Sequence, residues 1–275
     1  MAVPSKTPIT LTIAGSDSGG GAGIQADIKA ISATGSYGCS VITALTAQNT
    51  QGVSGILAVD PEFVEKQLDA VFTDLDIKAV KVGMLSDTNI IKVVAAKLRQ
   101  YKPKYLVVDP VMVATSGDLL LQQDAISCLK TELLPLADVI TPNLPEAAAL
   151  LDVAIPQSEK EMANMIEALR QIGAKSVLLK GGHLEQDTNS TDLLIMNNEV
   201  IRMSTARIST RNTHGTGCTL SSATASFLAQ GIELRAAVQN AKAYITMAIS
   251  HADKLEIGSG HGPVHHFFAG HYQPE

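Results

Sequence analysis

Short β-branched runs alternate along most of the chain with stretches whose apolar residues recur at helical spacing. The run Ile9–Gly15 reads as a strand. After a Ser/Gly-rich turn, Ile24, Ile28 and Ile31 fall on one face of a helix. Cys39–Leu45 reads as a second strand, and residues 46–58, polar and punctuated by glycine, as an exposed loop or an edge hairpin. Pro61 suits the first turn of a helix carrying Val64, Leu68 and Val71. A strand over Ile77–Val82, a helix over Asn89–Arg99 and a strand over Tyr105–Asp109 follow, the last closed by Pro110. A helix over Ala125–Leu133 leads to a short strand, Asp138–Ile140. Pro142 and Pro145 interrupt the chain before helix resumes at Glu146–Leu151. Ser158 is expected to cap the next helix, with Glu161 as its capping-box partner. Ser176–Lys180 is a strand ending in Gly181-Gly182. Asp192–Met196 and Val200–Met203 flank Asn197-Asn198-Glu199 as a hairpin. The last two helices start near Gly217 and Glu233.

Strands alternating with helices predict an α/β fold with one right-handed, mostly parallel sheet. Ligands of such sheets sit at the carboxyl ends of the strands, where this chain places Gly15, Asp109, Asn143 (just past its strand) and Lys180. The composition agrees. There is no Trp and only 4% aromatic residue, so the core must come from Ala, Val, Ile and Leu, as in sheets covered on both faces. At 45% hydrophobic and 17% charged, the 275-residue chain is a packed globule and not a disordered one. With 21 basic against 27 acidic residues, the net charge of −6 argues against a nucleic-acid-binding face. No run approaches the roughly 18 uncharged apolar residues of a membrane span. The polar start, MAVPSKTP, has no apolar signal region, and three sparse cysteines do not make a disulfide framework. A cytoplasmic location is expected.

Three segments carry candidate chemistry. Gly15–Asp27 (GSDSGGGAGIQAD) joins a strand to a helix, where backbone N–H groups can wrap an anion or a small ring. It is not a P-loop, for no Gly-Lys-Ser/Thr follows. Its Gly21-x-Gly23-x-x-Ala26 lacks the acidic residue that a dinucleotide fold needs at the end of the second strand. Asp17-Ser18-Gly19-Gly20 echoes a trypsin-like nucleophile segment, but those enzymes are disulfide-bonded β-barrels. In Arg211–Ala223 (RNTHGTGCTLSSA), Gly215, Thr216, Gly217 and Cys218 lie where a helix begins. A Gly-x-Gly there exposes unpaired N–H groups and the positive end of the helix, which suits a phosphoryl group in transit. A cysteine in that first turn is expected to have a depressed pKa. Thr141–Ala147 (TPNLPEA) and Leu178–His183 (LLKGGH) supply Asn143 and Glu146 three residues apart at a helix entrance, fit for a hydrated Mg²⁺, and Lys180 for phosphate. Each of the three also reads as a plain cap or a solvated group. The C-terminal histidines, His261, His265, His266 and His271, have no His-x-x-x-His or Cys-x-x-Cys partner and are read as surface or packing residues.

Together with TALTAQNTQGV, KVGML, DPVMVATSG and GHGPVHHF, these segments strongly resemble the hydroxymethylpyrimidine/phosphomethylpyrimidine kinases, which belong to the ribokinase-like superfamily. The resemblance runs in uninterrupted order over residues 9–267, leaving 1–8 as a flexible start and 268–275 as a tail. It implies one kinase domain with about eight strands between helical layers and a small edge hairpin or loop near the substrate. It also implies ATP and Mg²⁺ as co-substrates, a homodimer, and two successive phosphorylations of 4-amino-5-hydroxymethyl-2-methylpyrimidine in thiamine diphosphate biosynthesis. Carried over by motif, Gly15, Asp27, Gln48, Met84 and Val111 form the pyrimidine pocket. Asn143 and Glu146 serve metal and phosphate, Lys180 the nucleotide phosphates, and Gly215, Thr216 and Gly217 the anion hole. Cys218 is the base. The aminopyrimidine edge suits the Gln48 carboxamide, which can meet a donor and an acceptor together, as Gln meets adenine. Sugar kinases of the superfamily carry Asp in place of this cysteine. The nearest alternative is a pyridoxal kinase, or an enzyme with both activities. A binding protein that consumes no ATP is the alternative from another class.

Overall fold

In chain order the strands are β1 (Ile9–Asp17), β2 (Tyr37–Asn49), β3 (Gly52–Ala58), β4 (Ile77–Val82), β5 (Tyr105–Val108), β6 (Val139–Ile140), β7 (Val177–Lys180), β8 (Asn189–Ile195) and β9 (Val200–Ala206). The structure, a computed structural model, describes residues 7–112, 123–184 and 187–270. All nine strands join in one sheet, in the order β3-β2-β1-β4-β5-β6-β7-β8-β9. Pairings from β2 across to β7 are parallel, and β3, β8 and β9 add antiparallel edges. Nine strands stand where about eight were expected. Residues 46–58 are a hairpin and not a loop: β2 continues to Asn49, and β3 returns with Leu57 opposite Leu45. The hairpin's β3 strand is largely exposed, so neither of its faces shows the alternation that marks a half-buried strand.

The helices are α1 (Gly23–Ala33), α2 (Pro61–Asp74), α3 (Thr88–Tyr101), α4 (Gln123–Cys128), α5 (Leu144–Leu151), α6 (Glu159–Asn164), α7 (Ile166–Arg170), α8 (Thr216–Ala229) and α9 (Leu234–Ser250). Their starts follow local chemistry. Asp60 caps α2 by accepting from Glu62 N, and Asp87 caps α3 by accepting from Asn89 N and Ile90 N. Ser158 caps α6, but the box is not reciprocal, because the Glu161 carboxylate accepts from Gln157 N instead. The helix expected over Ala125–Leu133 changes gauge. After α4 it widens to a π turn at Leu129–Leu133 and tightens to a 3₁₀ turn at Leu134–Leu136, where Pro135 offers no N–H to an α-helical ladder.

Strand alternation sorts side chains onto two faces. Leu11, Ile13, Val80, Val82, Leu106, Val108, Val177 and Leu179 pack into one core with residues of α2, α3 and α5. Ala79, Val107 and Leu178 pack into a second core with α8 and α9. The period of two then fixes where the charged strand residues go. Lys81, Asp109 and Lys180 share parity with Ala79, Val107 and Leu178, so they project toward the α8 side of the sheet, at or near its carboxyl edge. Pro8 O accepts from Tyr37 N, and the Phe268 ring lies against Tyr244 and His251. Of the expected flexible start and tail, residues 1–6 and 271–275 lie outside the described residues. Among the described residues no helix is long and apolar enough to cross a membrane.

Candidate active site

The start of α8 is built from backbone. Gly215 is its N-cap at φ +79, a left-handed conformation that favours glycine. A Cβ there would sit 1.9 Å from Gly21 O, so the turn after β1 and the turn before α8 touch main chain to main chain. Thr216 Oγ1 donates to Thr213 O (2.7 Å) and braces the turn. A Cβ on Gly217 would lie 3.2 Å from Lys180 Nζ and 3.6 Å from Asp109 Oδ2. Glycine therefore lets an ammonium group approach a helix N-terminus closely, and these two sources of positive charge together suit an anion. The structure brings Lys180, Gly215, Thr216 and Gly217 together as the motifs implied.

Two buried ion pairs lie beneath this cradle. Lys180 Nζ donates to Asp109 Oδ1 (2.9 Å), which also accepts from Thr141 Oγ1 (2.9 Å). Burial works against ionisation of both groups. For Asp109 it is outweighed by the ammonium groups of Lys180 and Lys81, which hold the carboxyl below its ordinary value. For Lys180 it is outweighed by Asp109 and Glu146, which raise the pKa. Both pairing members therefore stay charged. Lys81 and Asp27 form the second pair, at 2.8 and 3.0 Å, and both side chains are 0% exposed. Thr12 Oγ1 (2.6 Å) and Ser222 Oγ (2.7 Å) donate to the remaining acceptor positions of Asp27.

Asp27 is thus placed differently from the direct substrate contact that the resemblance implies. Its lone pairs are taken, and it supports the site from behind. Cys218 also differs from its expectation. It keeps part of its surface open, yet burial pushes its thiol up to about 11, against the opposing Lys81 charge and the Gly23 N–H that faces it. The helix N-terminus favours a thiolate, but desolvation among α1, β4 and α8 outweighs it.

Asn143 and Glu146 form a capping box on α5: Glu146 N donates to Asn143 Oδ1 and Asn143 N to Glu146 Oε2, both at 2.8 Å. Pro142 O accepts from Lys180 N, which ties this cap to the end of β7. Burial raises the Glu146 carboxyl to about 7; Asp109 adds to this, while Lys180 and the N–H groups of Asn143 and Met112 oppose it. A buried carboxylate so short of compensating charge fits a cation arriving with phosphate. Among the described residues no cluster of three or more His, Cys, Asp or Glu forms a metal cage, so a Mg²⁺ here would rest on few protein oxygens and keep most of its waters, as that ion commonly does.

The remaining residues that the resemblance assigns to the pyrimidine lie at or just past the carboxyl ends of β1, β2, β4 and β5. A Cβ on Gly15 would lie 3.0 Å from Met84 Sδ, so the two are adjacent. Thr43 Oγ1 fixes Met84 by donating to its carbonyl (2.8 Å). Gln48 sits near the hairpin end of β2, where Ser18 Oγ donates to its carbonyl (2.6 Å) and its carboxamide lies 3.0 Å from Thr46 Oγ1. Val111 follows the end of β5, with its N–H on Asp109 O (2.8 Å). The rest of its motif, from residue 113 on, lies outside the described residues.

The model of the phosphomethylpyrimidine kinase family matches residues 17–265. The chain belongs to that family. The hydroxymethylpyrimidine/phosphomethylpyrimidine kinase of Rhizobium meliloti is 58% identical over 261 residues, covering 95% of this chain and 97% of that one. Among solved structures, phosphomethylpyrimidine kinase from Clostridium difficile is 47% identical with a TM-score of 0.77, over 88% of this chain and 99% of that chain. An ADP complex of Bacillus subtilis pyridoxal kinase superposes with a TM-score of 0.88 at 32% identity, over 96% and 99%. The fold is ribokinase-like, and the chain is a kinase of this family. Four groups that brace this arrangement carry no role on sequence grounds: Lys81, Thr12, Ser222 and the Asp17–His214 pair. Lys81 had a visible signal: unlike Lys78 near the start of the strand, it stands deep in IKAVKV between Val80 and Val82, on the face of Ala79. The hydroxyls had none.

Proposed function

We propose that this chain transfers the γ-phosphoryl group of ATP to the hydroxymethyl oxygen of 4-amino-5-hydroxymethyl-2-methylpyrimidine, and then adds a second phosphoryl group to give the pyrophosphate. The observation that carries the chemistry is the close approach of the Lys180 ammonium to Gly217 at the N-terminus of α8, where a Cβ would lie only 3.2 Å from Nζ. It offers positive charge and backbone donors where a transferring phosphoryl group needs them. The Gln48 carboxamide and the Gly15–Met84 wall take the pyrimidine, with Val111 beside them. Gly15 keeps the wall flat, and the polarisable Met84 thioether lies against a ring. Asn143 and Glu146 would hold Mg²⁺, and the ion would supply neutralisation of phosphate oxygens. Cys218 takes the hydroxymethyl proton. Only its thiolate can accept that proton, and with the thiol raised to about 11 the step runs through a minor thiolate form; proton removal is late and positioning carries most of the acceleration, as loose phosphoryl-transfer transition states allow.

The reading treats residues 9–267 as one kinase domain and the active assembly as a homodimer. Supporting the second point, Leu45 and Leu57 are paired across the edge hairpin and are 46% and 67% exposed, an apolar pair that a second copy would cover. A second reading, turnover of pyridoxal, is favoured by the fit to the pyridoxal kinase fold. Incubation with ATP, Mg²⁺ and the pyrimidine, with products identified by mass, tests the proposal. Monophosphate followed by pyrophosphate is expected. Monophosphate alone at long times with excess ATP removes the second step, and phosphorylation of pyridoxal alone overturns the assignment.

A further inference from the structure

We infer that the buried Asp17–His214 hydrogen bond is a positioning element, which holds the glycine-rich turn after β1 against the start of α8 during phosphoryl transfer. The inference rests on the reading of Gly215–Gly217 as the phosphoryl cradle. Asp17 is 2% exposed and its carboxylate gathers four donors. Gly19 N (2.7 Å) reaches Oδ1, while Gly21 N (3.0 Å), Ala22 N (2.8 Å) and His214 Nε2 (2.8 Å) reach Oδ2. An ionised carboxylate only accepts, so the ring nitrogen facing it carries a proton. Burial opposes the Asp17 charge, and the His214 hydrogen bond with the Ala22 and Gly19 amides outweighs it and keeps the carboxyl below its ordinary value. Three donors come from one turn. The fourth comes from the residue directly before Gly215.

The contact is close on both sides. A Cβ on Gly21 would lie 2.3 Å from His214 Cδ2, and one on Gly215 1.9 Å from Gly21 O. One residue past Ala22, the Gly23 N–H faces Cys218 and favours its thiolate. The carboxylate therefore sets two things at once: where Gly23 meets Cys218, and where Gly215 opens α8. His214 cannot swing freely, because its N–H donates to Gly262 O (3.0 Å) and its carbonyl accepts from Val264 N (3.3 Å). The same C-terminal segment reaches the edge hairpin: His261 N donates to Thr50 O (2.8 Å) and Gly260 N to Thr50 Oγ1 (3.2 Å). The hairpin that carries Gln48 and the turn that opens the anion cradle are thus tied to one segment, with His214 at their junction. Neither Asp17 nor His214 is assigned contact with a reacting atom. Both act through Gly23 and Gly215, and small misplacements at such points lower the rate of the chemical step more than they weaken binding.

The test uses the full chain with His214→Phe, which keeps a ring and removes the donor, and His214→Gln, whose amide nitrogen can stand near the place of Nε2. Turnover is measured on whichever alcohol the wild type phosphorylates, so a wrong pyrimidine assignment does not mimic a wrong role for the pair. In His214→Phe, kcat is expected to fall roughly ten- to hundred-fold, the loss that a misplacement of about 1 Å near the chemistry brings. Both KM values stay within about threefold, and His214→Gln returns kcat to within about fivefold of wild type. If the Phe variant does not fold, His214→Asn, too short to reach Asp17, takes its place with the same expected loss. A kcat within about threefold of wild type overturns the inference. So does a rise in KM alone, which makes the pair a substrate contact. A loss that tracks a fall in Tm and is not restored by Gln makes the pair structural only, and overturns it too.

Discussion

Lys81→Met isolates the energetic foundation of the site. The variant keeps the length of the side chain and removes the cation that meets Asp27 at 2.8 Å with both groups fully buried. Asp27 is left with Thr12 and Ser222 as its donors, in a place where water cannot replace the ammonium. Breaking a buried pair by removing one partner costs about 3–5 kcal/mol. For a chain of this size that is a fall in Tm of about 6–15 °C, at roughly 2–3 °C per kcal/mol. Adding Asp27→Asn removes the stranded charge while keeping groups for both hydroxyls, so the double variant is expected to recover most of the loss. Urea denaturation of the wild type, the single and the double variant gives the comparison. The thiol responds as well: Lys81 is the largest influence opposing burial at Cys218, so alkylation of Cys218 in the folded single variant slows at a given pH. The reasoning fails if Lys81→Met costs less than about 1 kcal/mol, or if the double variant is as unstable as the single one.

Gln48→Leu leaves a polar pyrimidine edge unpaired, so kcat/KM for the pyrimidine falls roughly ten- to hundred-fold while ATP KM barely moves; steady-state kinetics with each substrate varied in turn checks both. Glu146→Gln can keep the capping box and remove the charge, so activity falls and the Mg²⁺ concentration for half activity rises; a wild-type Mg²⁺ titration would leave Glu146 with the cap alone. Cys218→Ala lowers kcat by about 10²-fold with little change in ATP KM, and turnover within about threefold of wild type removes it as proton acceptor. With its thiol at about 11, Cys218 is neutral at pH 7, so its alkylation rate in the folded wild type climbs about tenfold per pH unit toward that value and levels only above it; a plateau near pH 8 refutes the raised thiol.

Much of this architecture is legible in the chain because buried strands and amphipathic helices write their periods locally. Ile9–Gly15, Ile77–Val82 and Ser176–Lys180 lie on observed strands with small shifts at their ends. The edge hairpin is ambiguous because most of β3 is exposed and carries no alternation. The backbone-built parts of the site were equally visible, since a glycine in a left-handed turn before a helix is a local requirement. What stayed hidden was set by distant partners. Lys81 and Asp27 are 54 residues apart, and Asp17 and His214 are 197 apart. Cys218 shows the same limit in energetic form. Its place in the first turn of α8 predicts a lowered thiol pKa, while burial among elements far away in the chain raises it.

The central claim is that the pocket between the Gly15–Met84 wall and Gln48 selects an aminopyrimidine alcohol for the phosphoryl cradle at Gly217. The most direct measurement is a competition in one vessel: equimolar 4-amino-5-hydroxymethyl-2-methylpyrimidine and pyridoxal with ATP and Mg²⁺, and both phosphorylated products followed by mass, for the wild type and Gln48→Leu. The account predicts that pyrimidine phosphate forms first and predominates in the wild type, and that Gln48→Leu lowers that preference by roughly ten-fold or more. Equal or preferential phosphorylation of pyridoxal by the wild type, or a preference unchanged in Gln48→Leu, would contradict it.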